Sequence, residues 1–124
     1  MNEVLILTGA GIITAWGIAH LVPVRAIVNG FGDISADNRK ILMMEVLAEG
    51  LTLVFLGVLS LLVTLLGDSA STTARIVYLS VGTMLLVMAI VTLATGARTA
   101  QIPYKICPVV KIVSAVLIIL GTTL

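Results

Sequence analysis

The chain has 124 residues, of which 60% are hydrophobic and 10% charged, and its mean hydropathy is +1.24. That composition lies outside the range of soluble globular domains and puts the chain in a bilayer. A formal charge of +1 supplies no basic stripe for nucleic acid, and Cys107 as the only cysteine excludes an intramolecular disulfide, a CxxC redox pair and a cysteine-based zinc site.

Four apolar runs follow in order: Val4–Val22, Ile41–Leu66, Ile76–Ala97 and Ile106–Leu124, of 19, 26, 22 and 19 residues. Each is long enough to span, and none alternates as the strands of a membrane barrel do. The expected fold is therefore all-α, a single domain forming an antiparallel bundle of four transmembrane helices. The first run carries Glu3 ahead of it, has no basic n-region and ends without an A-x-A site, which reads as a retained helix rather than a signal peptide.

The first connection, residues 23–40, is the longest. Pro23 ends the first helix, Val24, Ile27, Val28 and Phe31 recur at helical spacing, and a short helix lying in the interface is expected there. Asn29-Gly30 and Gly32-Asp33 mark a turn, with Ser35 or Asp37 as N-cap of the next helix. The second connection, residues 67–74, is short and polar and predicts an antiparallel hairpin. In the third, Pro103 and Tyr104 mark the entry to the last helix and Pro108 is expected in its first turn; Tyr104 and Tyr78 suit anchoring at opposite interfaces. Arg25, Arg39, Lys40, Arg98 and Lys105 fall in the first and third connections, and only Arg75 lies on the other side. The positive-inside rule makes those connections cytoplasmic and both termini external.

The second run is interrupted by Glu45 and Glu49, four residues apart on one helix face, while Gly50, Gly57, Ser60 and Thr64 gather a quarter-turn away as a stripe of small residues. A carboxylate at the centre of a membrane helix costs roughly 2.5–3.5 kcal/mol, so both acids call for partners, water or a function. Counted from the cytoplasmic ends at 1.5 Å per residue, Glu45, Glu49, Lys111 and His20 all fall within roughly 3–12 Å of that boundary. Trp16 sits one turn from His20 on the same face. These five residues, Trp16, His20, Glu45, Glu49 and Lys111, form the candidate ligand-binding or proton-linked cluster. Lys111 has two readings, a pair with one of the acids or a side chain that snorkels to the headgroups. One histidine and two carboxylates match the inventory of a facial triad, but no H-x-x-E spacing and no second histidine accompany them, so no metal is expected. No catalytic residue is assigned.

GIAHLVP at residues 17–23 and MEVLAEGLTLVFLG at residues 44–57 resemble the DoxX-like family of small four-helix bacterial membrane proteins. Its first helix ends G-x-x-H/K…P and its second carries an acid followed by glycines; the matching positions are Gly17, His20 and Pro23, with Glu45 or Glu49 and Gly50 or Gly57. The resemblance implies an inner-membrane bundle, in a family some of whose members are linked to quinone-coupled sulfur oxidation. Ala48-Glu49-Gly50 is also similar to the A-E-x-x-G setting of the small multidrug resistance family, although that family carries its acid in the first helix. The expected function is an accessory, non-enzymatic membrane module whose pocket binds a quinone or a lipid. The alternatives are a proton-coupled transporter and a structural bundle that assembles with its own kind or with a larger membrane complex.

Overall fold

The computed structural model describes all 124 residues. Five α-helices follow one another without a strand: α1 (Glu3–Leu21), α2 (Val24–Asn29), α3 (Ala36–Leu66), α4 (Thr72–Ala94) and α5 (Ile102–Thr123), with a 3-10 turn at Gly96–Arg98. Four of them, α1, α3, α4 with its trailing turn, and α5, are long and apolar enough to cross a membrane. The chain is thus an all-α four-helix bundle of the multi-pass membrane type, with α2 as the short helix expected after Pro23.

Caps explain where the helices begin. Ser35 accepts from the Asn38 N–H, so α3 starts five residues before the apolar run at Ile41 and draws Asp37, Asn38, Arg39 and Lys40 into its first turns. Ser71 caps α4 through the Ala74 N–H in the same way, and α4 stops at Ala94 rather than Ala97. The last helix begins at Ile102, with Pro103 in its first turn. Pro108 therefore lies inside α5 instead of opening it, where it removes the N–H that would donate to the Tyr104 carbonyl.

The order of packing is not the order of the chain. α1 is central, lying against α3 on one side and α5 on the other, and α4 packs on α5; α3 and α4 touch only slightly, although the short second connection joins them. Glycines set the closest approaches. A Cβ on Gly57 of α3 would stand 2.8 Å from the Ala10 carbonyl oxygen of α1, and one on Gly17 would stand 2.7 Å from the Val54 nitrogen. Such contacts bring backbones together in the way small residues do between membrane helices. Ile6, Ile13, Leu53, Leu56, Leu85 and Ile118 fill the core between them.

One end of the bundle holds both termini and the second connection. The Asn2 N–H donates to the Gly121 carbonyl at 2.7 Å, and Ser69 hydrogen-bonds the Glu3 carboxylate. Tyr78, expected as an interface anchor, is instead fully buried near that end, its hydroxyl 2.9 Å from Thr64 Oγ1. A phenol can lie in a bilayer core once its O–H has a partner, and Thr64 at the foot of α3 supplies one. The first and third connections close the opposite end, where the polar cluster lies.

Candidate ligand cavity and its polar cluster

A cavity of about 860 Å³ opens between the helix ends at the first and third connections. Trp16 and His20 of α1, Ala26 and Ile27 of α2, Glu49 of α3 and Tyr104 of α5 are among the residues that line it. α2 forms one wall because Pro23 stops α1 and turns the chain across the bundle end, with Val28 buried beneath it.

Trp16 and His20 are one helical turn apart, so their rings meet edge to face, with centroids 5.6 Å apart and planes at 72°. His20 Nδ1 lies 2.9 Å from the Trp16 carbonyl oxygen. That oxygen only accepts, so Nδ1 carries the proton, and in the neutral ring Nε2 is the acceptor, turned toward Cys107. Nε2 stands 3.7 Å from Cys107 Sγ, which also accepts a hydrogen bond from Trp16 Nε1 at 3.4 Å. Cys107 Sγ in turn lies 3.9 Å from Glu49 Oε1.

Behind this group, Lys111 forms a salt bridge with Glu49 and donates to Thr92 Oγ1 at 2.8 Å. Its side chain is 1% exposed, against 32% for Glu49. Lys111 thus does not snorkel to the headgroups. It is a buried cation whose charge is balanced by a carboxylate that reaches the cavity.

Four of the five sequence candidates are brought together: Trp16, His20, Glu49 and Lys111. Glu45 is not. It is exposed and lies outside the cavity, one turn nearer the start of α3 than Glu49, at a level where Val46 lines the wall instead. Cys107 and Thr92 join the cluster without having been singled out. A signal for Cys107 was present in the sequence, since it precedes Lys111 by four residues and so shares its helix face.

Compared with known proteins, the chain matches no family model, no curated protein and no solved structure. Its chemistry is therefore read from the site itself. An apolar-walled cavity presents an imidazole, a carboxylate held by a buried ammonium, and an indole N–H committed to a thiol sulfur. These groups suit a molecule with a compact polar head and an apolar body.

Proposed function

We propose that the protein is an accessory membrane module that binds a lipophilic ligand with a polar head, a quinone or a lipid, in the cavity beside His20 and Glu49. The observation that carries this reading is the union of a cavity of about 860 Å³, mostly apolar in its walls, with titratable side chains from α1 and α3 at its inner end. A volume of that order holds a ring or headgroup together with the first carbons of its tail. The DoxX-like resemblance, the bacterial inner membrane, cytoplasmic first and third connections and external termini belong to the same proposal, as does assembly with a second copy or a larger membrane complex. A transporter of the small-multidrug-resistance kind needs a carboxylate free to engage its substrate, and here Glu49 is already engaged by the buried Lys111 ammonium.

Trp16 is the only tryptophan and lines the cavity, so its fluorescence reports occupancy directly. Titrating the protein in nanodiscs with a short-tailed quinone should give saturable quenching that weakens in Glu49→Gln. Native mass spectrometry of the same preparation should show a retained phospholipid if the occupant is a lipid instead. Unsaturable quenching together with no retained lipid overturns the proposal.

A further inference from the structure

His20, Glu49 and Cys107 come from three different helices, and each places one potential ligand atom within 4.8 Å of the other two. The separations approach those of a tetrahedral metal site. Zinc bonds of about 2.3 Å to sulfur and 2.0 Å to nitrogen, at tetrahedral angles, put the two ligand atoms roughly 3.5 Å apart. Cys107 Sγ lies 3.7 Å from His20 Nε2 and 3.9 Å from Glu49 Oε1, so small side-chain adjustments would close the set.

The surroundings of these atoms are those of ligands. His20 spends its Nδ1 proton on the Trp16 carbonyl, the outer-shell bond that fixes the tautomer and aims Nε2 at an ion. The indole N–H of Trp16 donates to the Cys107 sulfur, and such a bond strengthens when the acceptor is a thiolate. Lys111 already holds Glu49 as a carboxylate, whose two oxygens offer enough lone pairs to serve an ammonium and an ion together. Sulfur, imidazole nitrogen and carboxylate oxygen make a donor set suited to a borderline ion such as Zn²⁺. The expectation of no metal and no cysteine-based zinc site is revised: one cysteine rules out a multi-cysteine site, but the fold adds Cys107 to His20 and Glu49 in a mixed one.

We propose that His20 Nε2, Cys107 Sγ and a Glu49 carboxylate oxygen form a binding site for a zinc-class divalent cation at the inner end of the cavity. Loading exchanges one proton for one bond: the Cys107 S–H proton leaves to solvent as the sulfur–metal bond forms, while His20 uses an existing lone pair and Glu49 is already ionised. His20 and Glu49 line the cavity and Cys107 is buried behind them, so the ion enters from the cavity and keeps one side turned toward it. The site stands on these three side chains alone, whether or not an amphiphile fills the space beside it.

The test uses the full chain in nanodiscs, stripped with chelator and titrated with Co²⁺ as an optical stand-in. The expected result is one Co²⁺ per chain with a sulfur-to-metal charge-transfer band, displaced by Zn²⁺, and about one proton released per ion. Cys107→Ser should abolish the band and weaken binding by roughly 10-fold or more, and His20→Gln should weaken it as strongly, whereas Glu45→Gln should bind as the parent does. No stoichiometric uptake by the parent, or uptake without the charge-transfer band, overturns the proposal. That band reads thiolate ligation in the unmodified protein, so the outcome holds even where a variant folds poorly.

Discussion

Lys111 on α5 is tied to Glu49 on α3 through a salt bridge in which the cation is almost wholly enclosed and the anion is not. The asymmetry decides which partner is dispensable. Removing one member of a buried pair costs about 3–5 kcal/mol when the survivor is left charged and dry. Glu49→Ala strands an ammonium with Thr92 as its remaining polar partner, and its cost should approach that range. Lys111→Met strands a carboxylate that still reaches the cavity, and should cost less. Thermal unfolding in detergent should therefore rank the variants parent, Lys111→Met, Glu49→Ala, with Glu49→Gln/Lys111→Met recovering stability relative to Glu49→Ala. A reversed order would mean that the buried charge is Glu49.

Two glycines on facing helices give opposite expectations. Gly57 has the Ala10 carbonyl oxygen and the Thr14 nitrogen 2.8 and 2.9 Å from where its Cβ would sit, whereas Gly11 has nothing within 4 Å. Gly57→Leu should push α1 and α3 apart and lower the melting temperature. Gly11→Ala adds a methyl in open space and removes the helix penalty of glycine, up to about 1 kcal/mol, so it should raise the melting temperature. Equal effects at the two sites would show that the α1–α3 approach is not what these glycines serve.

The Tyr78–Thr64 hydrogen bond is the polar tie between α4 and the end of α3, two helices that otherwise touch little. Side-chain hydrogen bonds between membrane helices average about 0.6 kcal/mol. Tyr78→Phe and Thr64→Val should each destabilise modestly, and the double variant should lose less than the sum. Full additivity would show that the pair is not formed.

Topology is open to labelling from either face. In a Cys107→Ser background, a cysteine at Ser35, in the first connection, should react with an impermeant reagent only from the cytoplasm. One at Ala70, beside the end that holds Glu3 and Gly121, should react only from outside. The opposite pattern would invert the orientation assigned from Arg25, Arg39, Lys40, Arg98 and Lys105.

The four spans were legible because a bilayer demands about 20 continuous apolar residues, and this chain has four such runs. The extra turn at the start of α3 was invisible to hydropathy because residues 37–40 are polar, but Ser35 signalled it as a candidate N-cap, and that cap makes the turn helical. Neighbour order was hidden for a deeper reason. In lipid, outward and inward faces are equally apolar: on α1, exposed Val4, Ile12 and Ile18 look no different from buried Ile6 and Ile13. Without knowing that α1 packs on both α3 and α5, nothing in the sequence places Cys107 against His20, 87 residues away, or moves Tyr78 from the interface to the core. The polar members of the site were legible for the complementary reason, since Glu49 and Lys111 stand out against an apolar background and the cost of burying either alone requires a partner.

The cavity can be filled without disturbing the cluster behind it. Ala26 on α2 lines the cavity but is exposed and lies outside the packed core, so a larger side chain there takes up cavity space and displaces no buried neighbour. Ala26→Phe should therefore leave the unfolding free energy within about 0.5 kcal/mol of the parent, the range of ordinary surface substitutions. Metal uptake by His20, Cys107 and Glu49 should persist, because none of these residues moves to accommodate the new ring. Binding of the quinone or lipid should fall, read as weaker Trp16 quenching or as less retained lipid, because the phenyl ring occupies space that the ligand's apolar body needs. Unaltered ligand binding in a folded Ala26→Phe protein would place the ligand elsewhere on the bundle, and the cavity at the first and third connections would then serve the cation site alone.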